Sequence, residues 1–208
     1  RPVNEQDYGL CEIDETVYLC RGTGSLMRAD AVPLAGQHNL LNVLAAWALA
    51  SSAGVADSTI KEAVTVFKGL PHRMECLGEI DDVEWINDSK GTNVGATVAA
   101  ISGLQNPVVL IAGGIAKDAD FTPLLDVAKT RVRAAILIGR DADRIAEVLS
   151  AEIPVQRAGS MDDAVALASQ IARQGDTVLL SPACASFDMF NNFEHRGDEF
   201  RRCVGGLR

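Results

Sequence analysis

The sequence predicts an α/β protein whose second half is a Rossmann-like, mostly parallel sheet with helices on both faces. Three observations predict it. Apolar runs rich in Val, Ile and Leu recur at Val108 to Ala112, Ala134 to Ile138 and Thr177 to Leu180, as expected of strands buried on both faces. Stretches of helical composition alternate with them. Gly69-Leu70-Pro71 stops a helix, because Gly favours a C-terminal cap and Pro restricts the residue before it, and the pattern changes after that point.

Ahead of this boundary, Tyr8 to Leu34 reads as short alternating segments split by Asp14-Glu15 and Gly22-Thr23-Gly24, a small β meander. Gly36-Gln37-His38-Asn39 opens an apolar stretch, Leu40 to Ala53, predicted as a buried helix with Asn39 as its N-cap and ending near Gly54. A second helix is expected over Ser58 to Phe67. Beyond the boundary, Met74 to Glu79 and Val83 to Asn87 flank Asp81-Asp82 as a hairpin. Helices are then expected over Val94 to Leu104, Phe121 to Lys129, Asp141 to Leu149, Met161 to Arg173 and Phe193 to Cys203.

Composition narrows the function classes. The 208 residues are 48% apolar and 23% charged, enough for a real core. Lys and Arg total 19 against 28 Asp and Glu, a net charge of -9, so no basic field exists to gather nucleic acid or an anionic membrane. No apolar run approaches the roughly 18 residues that span a bilayer, and Arg1-Pro2-Val3-Asn4 lacks a signal-peptide pattern, which predicts a cytoplasmic protein. Cys11, Cys20, Cys76, Cys184 and Cys203 are an odd set with no C-x-x-C pair, so neither a disulfide framework nor a zinc site is indicated. The start at Arg1, without an initiator Met, predicts a longer parent.

In an open parallel sheet, ligands sit beyond the carboxyl ends of the strands. Three loops there are unusual. Asn87-Asp88-Ser89-Lys90-Gly91-Thr92-Asn93 has no apolar side chain. It is either an ordinary strand-to-helix loop capped by Thr92 or Asn93, or an anion-binding helix start where backbone N–H groups, Thr92 and Lys90 converge. Gly113-Gly114-Ile115-Ala116-Lys117-Asp118-Ala119-Asp120-Phe121 lets a ligand approach the backbone, but it matches neither G-x-G-x-x-G nor G-x-x-x-x-G-K-[ST]. Lys117 there is either simply solvated or a ligand-binding cation. Ser181-Pro182-Ala183-Cys184-Ala185-Ser186-Phe187-Asp188 runs on to Asn191-Asn192-Phe193-Glu194-His195-Arg196-Gly197. Ser186 or Cys184 as a nucleophile needs an adjacent base, and the sequence does not place His195. Asn42, a mediocre helix former inside a predicted helix, offers an amide able to pair with adenine.

Together these segments resemble the Mur ligases. Gly36-x-His38-Asn39-x-x-Asn42, Leu70-Pro71-His72-Arg73, the Asn87 to Asn93 loop, Gly113-Gly114-x-x-Lys117-x-x-Asp120-Phe121 and Ser181-Pro182-Ala183-x-Ala185-Ser186-Phe187-Asp188 follow the order of that family over essentially all 208 residues. The D-S-K-G-T-N loop discriminates among branches and is similar to that of ligases adding D-glutamate. The resemblance implies that residues 1–70 are the carboxyl-terminal part of a central ATP-binding domain, a small β/α remnant, and that 71–208 are the amino-acid-binding domain. It implies an ATP-dependent amide ligase of peptidoglycan precursor synthesis. The L-alanine carboxylate of UDP-N-acetylmuramoyl-L-alanine would be activated as an acyl phosphate, and the D-glutamate amine would attack it.

By the same resemblance, Asn39 and Asn42 face adenine, and Arg73 and Asp88 hold the ribose of ATP. Thr92 and Lys117 take the α-carboxylate of D-glutamate. Ser186 and the backbone at Phe193 take its side-chain carboxylate. Lys90 lies near the reacting groups and His72 lines the muropeptide side, the two residues assigned to catalysis. Mg2+ is implied, with its ligands and the P-loop in the missing part, so the chain alone is expected to be inactive and the intact enzyme to be a monomer. One alternative is a Mur ligase adding a different amino acid, and two rivals differ in class. A nicotinamide oxidoreductase would carry the dinucleotide fingerprint, which is not found. A non-catalytic nucleotide- or dicarboxylate-binding module would suit the absent P-loop.

Overall fold

The computed structural model describes residues 2, 4–34 and 36–207, apart from the side chains of Gln37 and His38. The chain divides into two compact units, Arg1–Gly69 and Leu70–Arg208.

In the first unit, β1 (Tyr8–Ile13), β2 (Thr16–Arg21) and β3 (Gly24–Arg28) form an antiparallel meander in that order. The first hairpin turns on Asp14 and Glu15, both left-handed at φ 48° and 60°, the geometry that matches the twist of paired strands. Two helices follow, α1 (Gln37–Ser52) and α2 (Asp57–Val66). The N-cap of α1 is Gly36 at φ 93°, not Asn39 as the sequence suggested. The Gly36 carbonyl already accepts the Asn39 N–H at 3.0 Å, so Asn39 sits inside the first turn. Leu19, Met27, Val43, Leu44, Trp47 and Ile60 make the core. Trp47 Nε1 donates to Asp57 at 2.9 Å, and Arg21 pairs with the same carboxylate at 2.7 Å, tying α1 and β2 to the start of α2.

The second unit holds a six-stranded sheet in the order β4-β5-β9-β6-β7-β8. Its strands are β4 (Glu75–Ile80), β5 (Val83–Asn87), β6 (Val108–Gly113), β7 (Val132–Ile138), β8 (Val155–Arg157) and β9 (Thr177–Leu180). Only the β4-β5 hairpin pairs antiparallel. Between strands run α3 (Val94–Gly103), α4 (Thr122–Arg131), α5 (Ala142–Leu149) and α6 (Met161–Ile171), and α7 (Phe193–Gly205) comes last. Strand β8 escaped the sequence reading, because a three-residue edge strand with one apolar side chain leaves no hydrophobic run.

Alternation along β6 explains the two layers. Val108, Leu110 and Ala112 belong to the core beneath α3, α4 and α5, whereas Val109 and Ile111 belong to the core beneath α6 and α7. Strand β9 is last in sequence but central in space, between β5 and β6. The loops that leave β5, β9 and β6 therefore emerge side by side.

One glycine at this edge is fixed by sterics. Gly113 has φ 121°, and a Cβ there would lie 2.0 Å from the Ile138 carbonyl oxygen. Backbone strain and overpacking should together make Gly113→Ala destabilising by about 3 kcal/mol in urea denaturation. A change below about 0.5 kcal/mol, the range of neutral surface substitutions, would contradict this close packing.

Candidate ligand site over the carboxyl ends of the central strands

The three loops are stitched to one another by backbone hydrogen bonds. Ala183 N donates to Gly91 O at 2.9 Å, Gly113 N to Pro182 O at 2.8 Å, and Ile115 and Ala185 exchange bonds of 2.8 and 3.0 Å. Such close approach requires small residues. A Cβ at Gly91 would meet Asp88 Oδ2 at 2.5 Å, and one at Gly114 would meet Ala185 O at 2.1 Å.

A buried cation fastens the arrangement. Arg196, fully buried in the second turn of α7, donates through Nε to Ser89 Oγ at 3.0 Å and through its terminal nitrogens to Ser89 O at 2.8 Å and Cys184 O at 3.1 Å. Ser89 Oγ donates in turn to Phe193 O at 2.7 Å. Burial lowers the Arg196 pKa to about 10, partly offset by the fields of Cys184, Asp188 and Asp88, so the group stays charged at neutral pH. The sequence reading assigned Arg196 no role. A signal was present, because Arg196, Phe200 and Cys203 recur at the spacing of a buried helix face.

Asp88 and its neighbours form a second buried network. Its Oδ2 accepts from Ser181 Oγ at 2.8 Å and its Oδ1 from Met74 N at 3.3 Å. Burial raises its pKa to about 6, against the lowering effects of the Ser181 and Met74 hydrogen bonds and of the Arg73 and Arg196 charges. Asn87, also buried, donates to His72 Nδ1 at 3.0 Å, Glu75 Oε2 at 3.2 Å and Gly197 O at 3.2 Å. The other ring nitrogen of His72, Nε2, faces Asp198 at 3.8 Å. His72 is buried with φ 62°, and a Cβ on Gly197 would strike its ring at 2.2 Å, so the ring is pinned.

The other predicted residues of this unit lie on the three loops, at the start of α7 and, for Arg73, just ahead of β4. Lys90 Nζ lies 4.0 Å from the centroid of the Phe193 ring, a cation–π contact. Thr92 is half-buried and its N–H donates to Lys90 O at 2.7 Å. Of Thr92 and Asn93, it is Asn93 that caps α3, accepting from Ala96 N at 2.9 Å. Lys117 is exposed and left-handed at φ 47°. Ser186 is buried, and its hydroxyl makes no hydrogen bond among the described residues. Phe193 opens α7, whose cap Asn192 accepts from His195 N at 2.7 Å. Arg73 is exposed. Asn39 and Asn42 lie on α1 of the other unit, where Asn42 Nδ2 donates to Asn39 Oδ1 at 3.4 Å.

The nucleophile reading finds no support. Burial pushes the Cys184 thiol up to about 12, and the His195 ring accepts from Asn191 N at 3.2 Å rather than from Ser186 or Cys184.

What remains is an open α/β domain with cations, hydroxyls and a helix N-terminus gathered over its central strands, a scaffold for holding an anionic ligand. A family model described as Mur ligase, glutamate ligase domain, matches residues 72–184, and the chain belongs to the Mur ligase family. It is 52% identical over 200 residues to the UDP-N-acetylmuramoylalanine--D-glutamate ligase of Nitrosococcus oceani, covering 95% of this chain and 44% of that protein. The chain thus spans less than half the length of such curated relatives. Among solved structures, UDP-N-acetylmuramate-alanine ligase MurC from Thermotoga maritima aligns with TM-score 0.66 at 14% identity, over 93% of this chain and 43% of that one. MurF ligase from Thermotoga maritima in complex with ADP aligns with TM-score 0.60 at 11% identity, over 96% and 46%. These two likenesses establish the fold.

Asp88 makes the site's network pH-dependent. Its pKa is raised on folding, so the folded state binds the proton more tightly and stability falls as pH rises from about 4 through about 6. Asp88→Asn removes that loss. Relative to the unsubstituted chain, its unfolding free energy in urea should improve by on the order of 2 to 3 kcal/mol between pH 4 and pH 7. A flat difference, or one of opposite slope, would contradict the buried state of this carboxylate.

Proposed function

We propose that the intact protein is an ATP-dependent ligase that joins D-glutamate to UDP-N-acetylmuramoyl-L-alanine, and that this chain supplies the amino-acid-binding part. The observation that carries the reading is the close likeness to ligases of that name together with the anion-holding groups over β5, β9 and β6. Residues 1–69 are proposed as the end of the ATP-binding domain and 70–208 as the amino-acid-binding domain.

D-Glutamate presents two carboxylates, and two clamps suit it. Thr92 and Lys117 are proposed to take the α-carboxylate. The Ser186 hydroxyl, without a partner among the described residues, and the Phe193 N–H at the start of α7 are proposed to take the side-chain carboxylate. Holding both ends fixes the amine's position and the chirality accepted. Orientation of this kind accounts for several kcal/mol of the barrier to a bimolecular attack. Lys90 lies beside Phe193 and is proposed to offset negative charge near the reacting groups. With its Nδ1 committed to Asn87, His72 suits positioning better than proton transfer.

ATP supplies the activation that turns a poorly electrophilic carboxylate into an acyl donor. Asn39 and Asn42 are proposed to face its adenine, and Arg73 and Asp88 its ribose. Asp88 fits this role, because a carboxylate offers about four lone pairs and two are engaged by Ser181 and Met74. Mg2+ is proposed to bind through ligands outside this chain. A cytoplasmic monomer is the proposed setting. No helix among the described residues is long and apolar enough to cross a membrane.

The test is phosphate release by the intact protein given ATP, Mg2+, UDP-N-acetylmuramoyl-L-alanine and, separately, D-glutamate, L-glutamate, L-lysine or diaminopimelate. Release stimulated by D-glutamate alone is expected. In that assay Lys117→Ala should raise the KM for D-glutamate by about 10- to 100-fold, the value of a charge-assisted hydrogen bond, with little change for ATP. Stimulation by another amino acid would overturn the substrate, and equal effects on both KM values would overturn the role of Lys117.

A further inference from the structure

The far end of the same sheet carries a cavity that the ligase chemistry does not use. Its volume is about 480 Å3, within the range of small-molecule sites. It lies between the β4-β5 hairpin, the carboxyl end of α6 and Leu207 beyond α7, with Val83, Trp85 and Ala172 among its apolar walls. Trp85 stands in the middle of β5, whereas the ligand loops begin after Asn87 at the opposite end of that strand.

Trp85 is the informative residue. It is 2% exposed, and its Nε1 is the only buried side-chain nitrogen or oxygen among the described residues without a hydrogen-bond partner. The other tryptophan behaves as expected of a buried indole, since Trp47 Nε1 donates to Asp57 at 2.9 Å. A buried N–H with no acceptor is costly in a folded protein, and each such group calls for an explanation. The indole ring borders a cavity large enough to hold an acceptor, while Nε1 itself is closed to water behind that wall.

The polar lining indicates which acceptor. Arg173 borders the cavity and is exposed; its backbone N–H is taken by Asp176, while its side chain makes no hydrogen bond among the described residues. Gln174 adds an amide. The Ser169 hydroxyl is already given to Ala166 O at 2.9 Å. The one carboxylate of the lining, Asp81, sits on the hairpin turn. Apolar walls with a guanidinium and an unused indole N–H match a flat apolar body bearing an anionic acceptor.

We propose that this cavity is a second binding site, for small carboxylates with an aromatic or branched apolar body. The carboxylate bonds Arg173 and, once a small turn of the ring opens Nε1 to the cavity, the Trp85 indole, and the body lies against Val83 and Ala172. Because the site is at the other end of β5, its occupant does not compete with the glutamate ligand.

The 208-residue chain contains two tryptophans, so its 15N-labelled form shows two indole N–H resonances, assigned with Trp47→Phe. Phenylacetate is the probe. The Trp85 resonance should shift saturably with Kd on the order of 1 mM while that of Trp47 stays fixed. Arg173→Gln, whose own spectrum verifies folding, should weaken binding about tenfold, and uncharged phenylacetamide should bind the unsubstituted chain comparably weakly. No Trp85 shift by about 20 mM phenylacetate, or equal shifts of both indoles, would overturn the site. Saturable binding indifferent to Arg173→Gln and to the loss of charge would overturn the carboxylate assignment.

Discussion

The candidate site depends on one guanidinium. Arg196 is withdrawn from water and faces neutral oxygens: Ser89 Oγ, Ser89 O and Cys184 O. Such burial is expensive unless hydrogen bonds offset it, and the fixed fork of an arginine imposes its own geometry on the oxygens it meets. The loops after β5 and β9 are thereby held to a single arrangement against α7. A lysine, with one mobile ammonium, would not span three acceptors on two loops in this way.

The rest of the site follows from that constraint. Loops drawn so close need residues without bulk, hence Gly91, Gly114 and the left-handed Ala183 at φ 58°. Asp88 supplies opposite charge nearby, although it is itself held against burial by Ser181 and Met74. Arg196 and Ser89, which serve the framework, are thus buried and hydrogen-bonded. Those proposed for the ligand, Lys117 and the Ser186 hydroxyl, are left without protein partners among the described residues. This division between committed and uncommitted polar groups is what a positioning site requires.

Much of the fold was legible because its signals are local. Buried strands announce themselves as Val/Ile/Leu runs, and β6, β7 and β9 were found within two residues of their ends. Edge strand β8 was not, since an edge needs no continuous apolar run. The start of α1 was misplaced because Gly36 at φ 93° and Asn39 both suit a cap, and only the backbone decides between them. For the site, the loop residues were visible as polar stretches after strands, but their convergence was not. It arises from the insertion of β9 between β5 and β6, pairings over roughly ninety and seventy residues that no local pattern encodes. Asn42 stood out as a poor helix former with an amide to offer, whereas the role of His72 came from family resemblance alone. The bond between His72 and Asn87, like the burial of Arg196, is tertiary and became apparent only in three dimensions.

The most direct measurement is residue-resolved hydrogen exchange of the chain with and without Arg196→Gln. If Arg196 locks the loops, the amides of Asp88, Gly91, Ala183 and Ala185 should lose protection together, by at least about tenfold, while Val109 and Leu110 within β6 remain protected. Loss confined to the first turn of α7, or spread evenly through the sheet, would contradict the account.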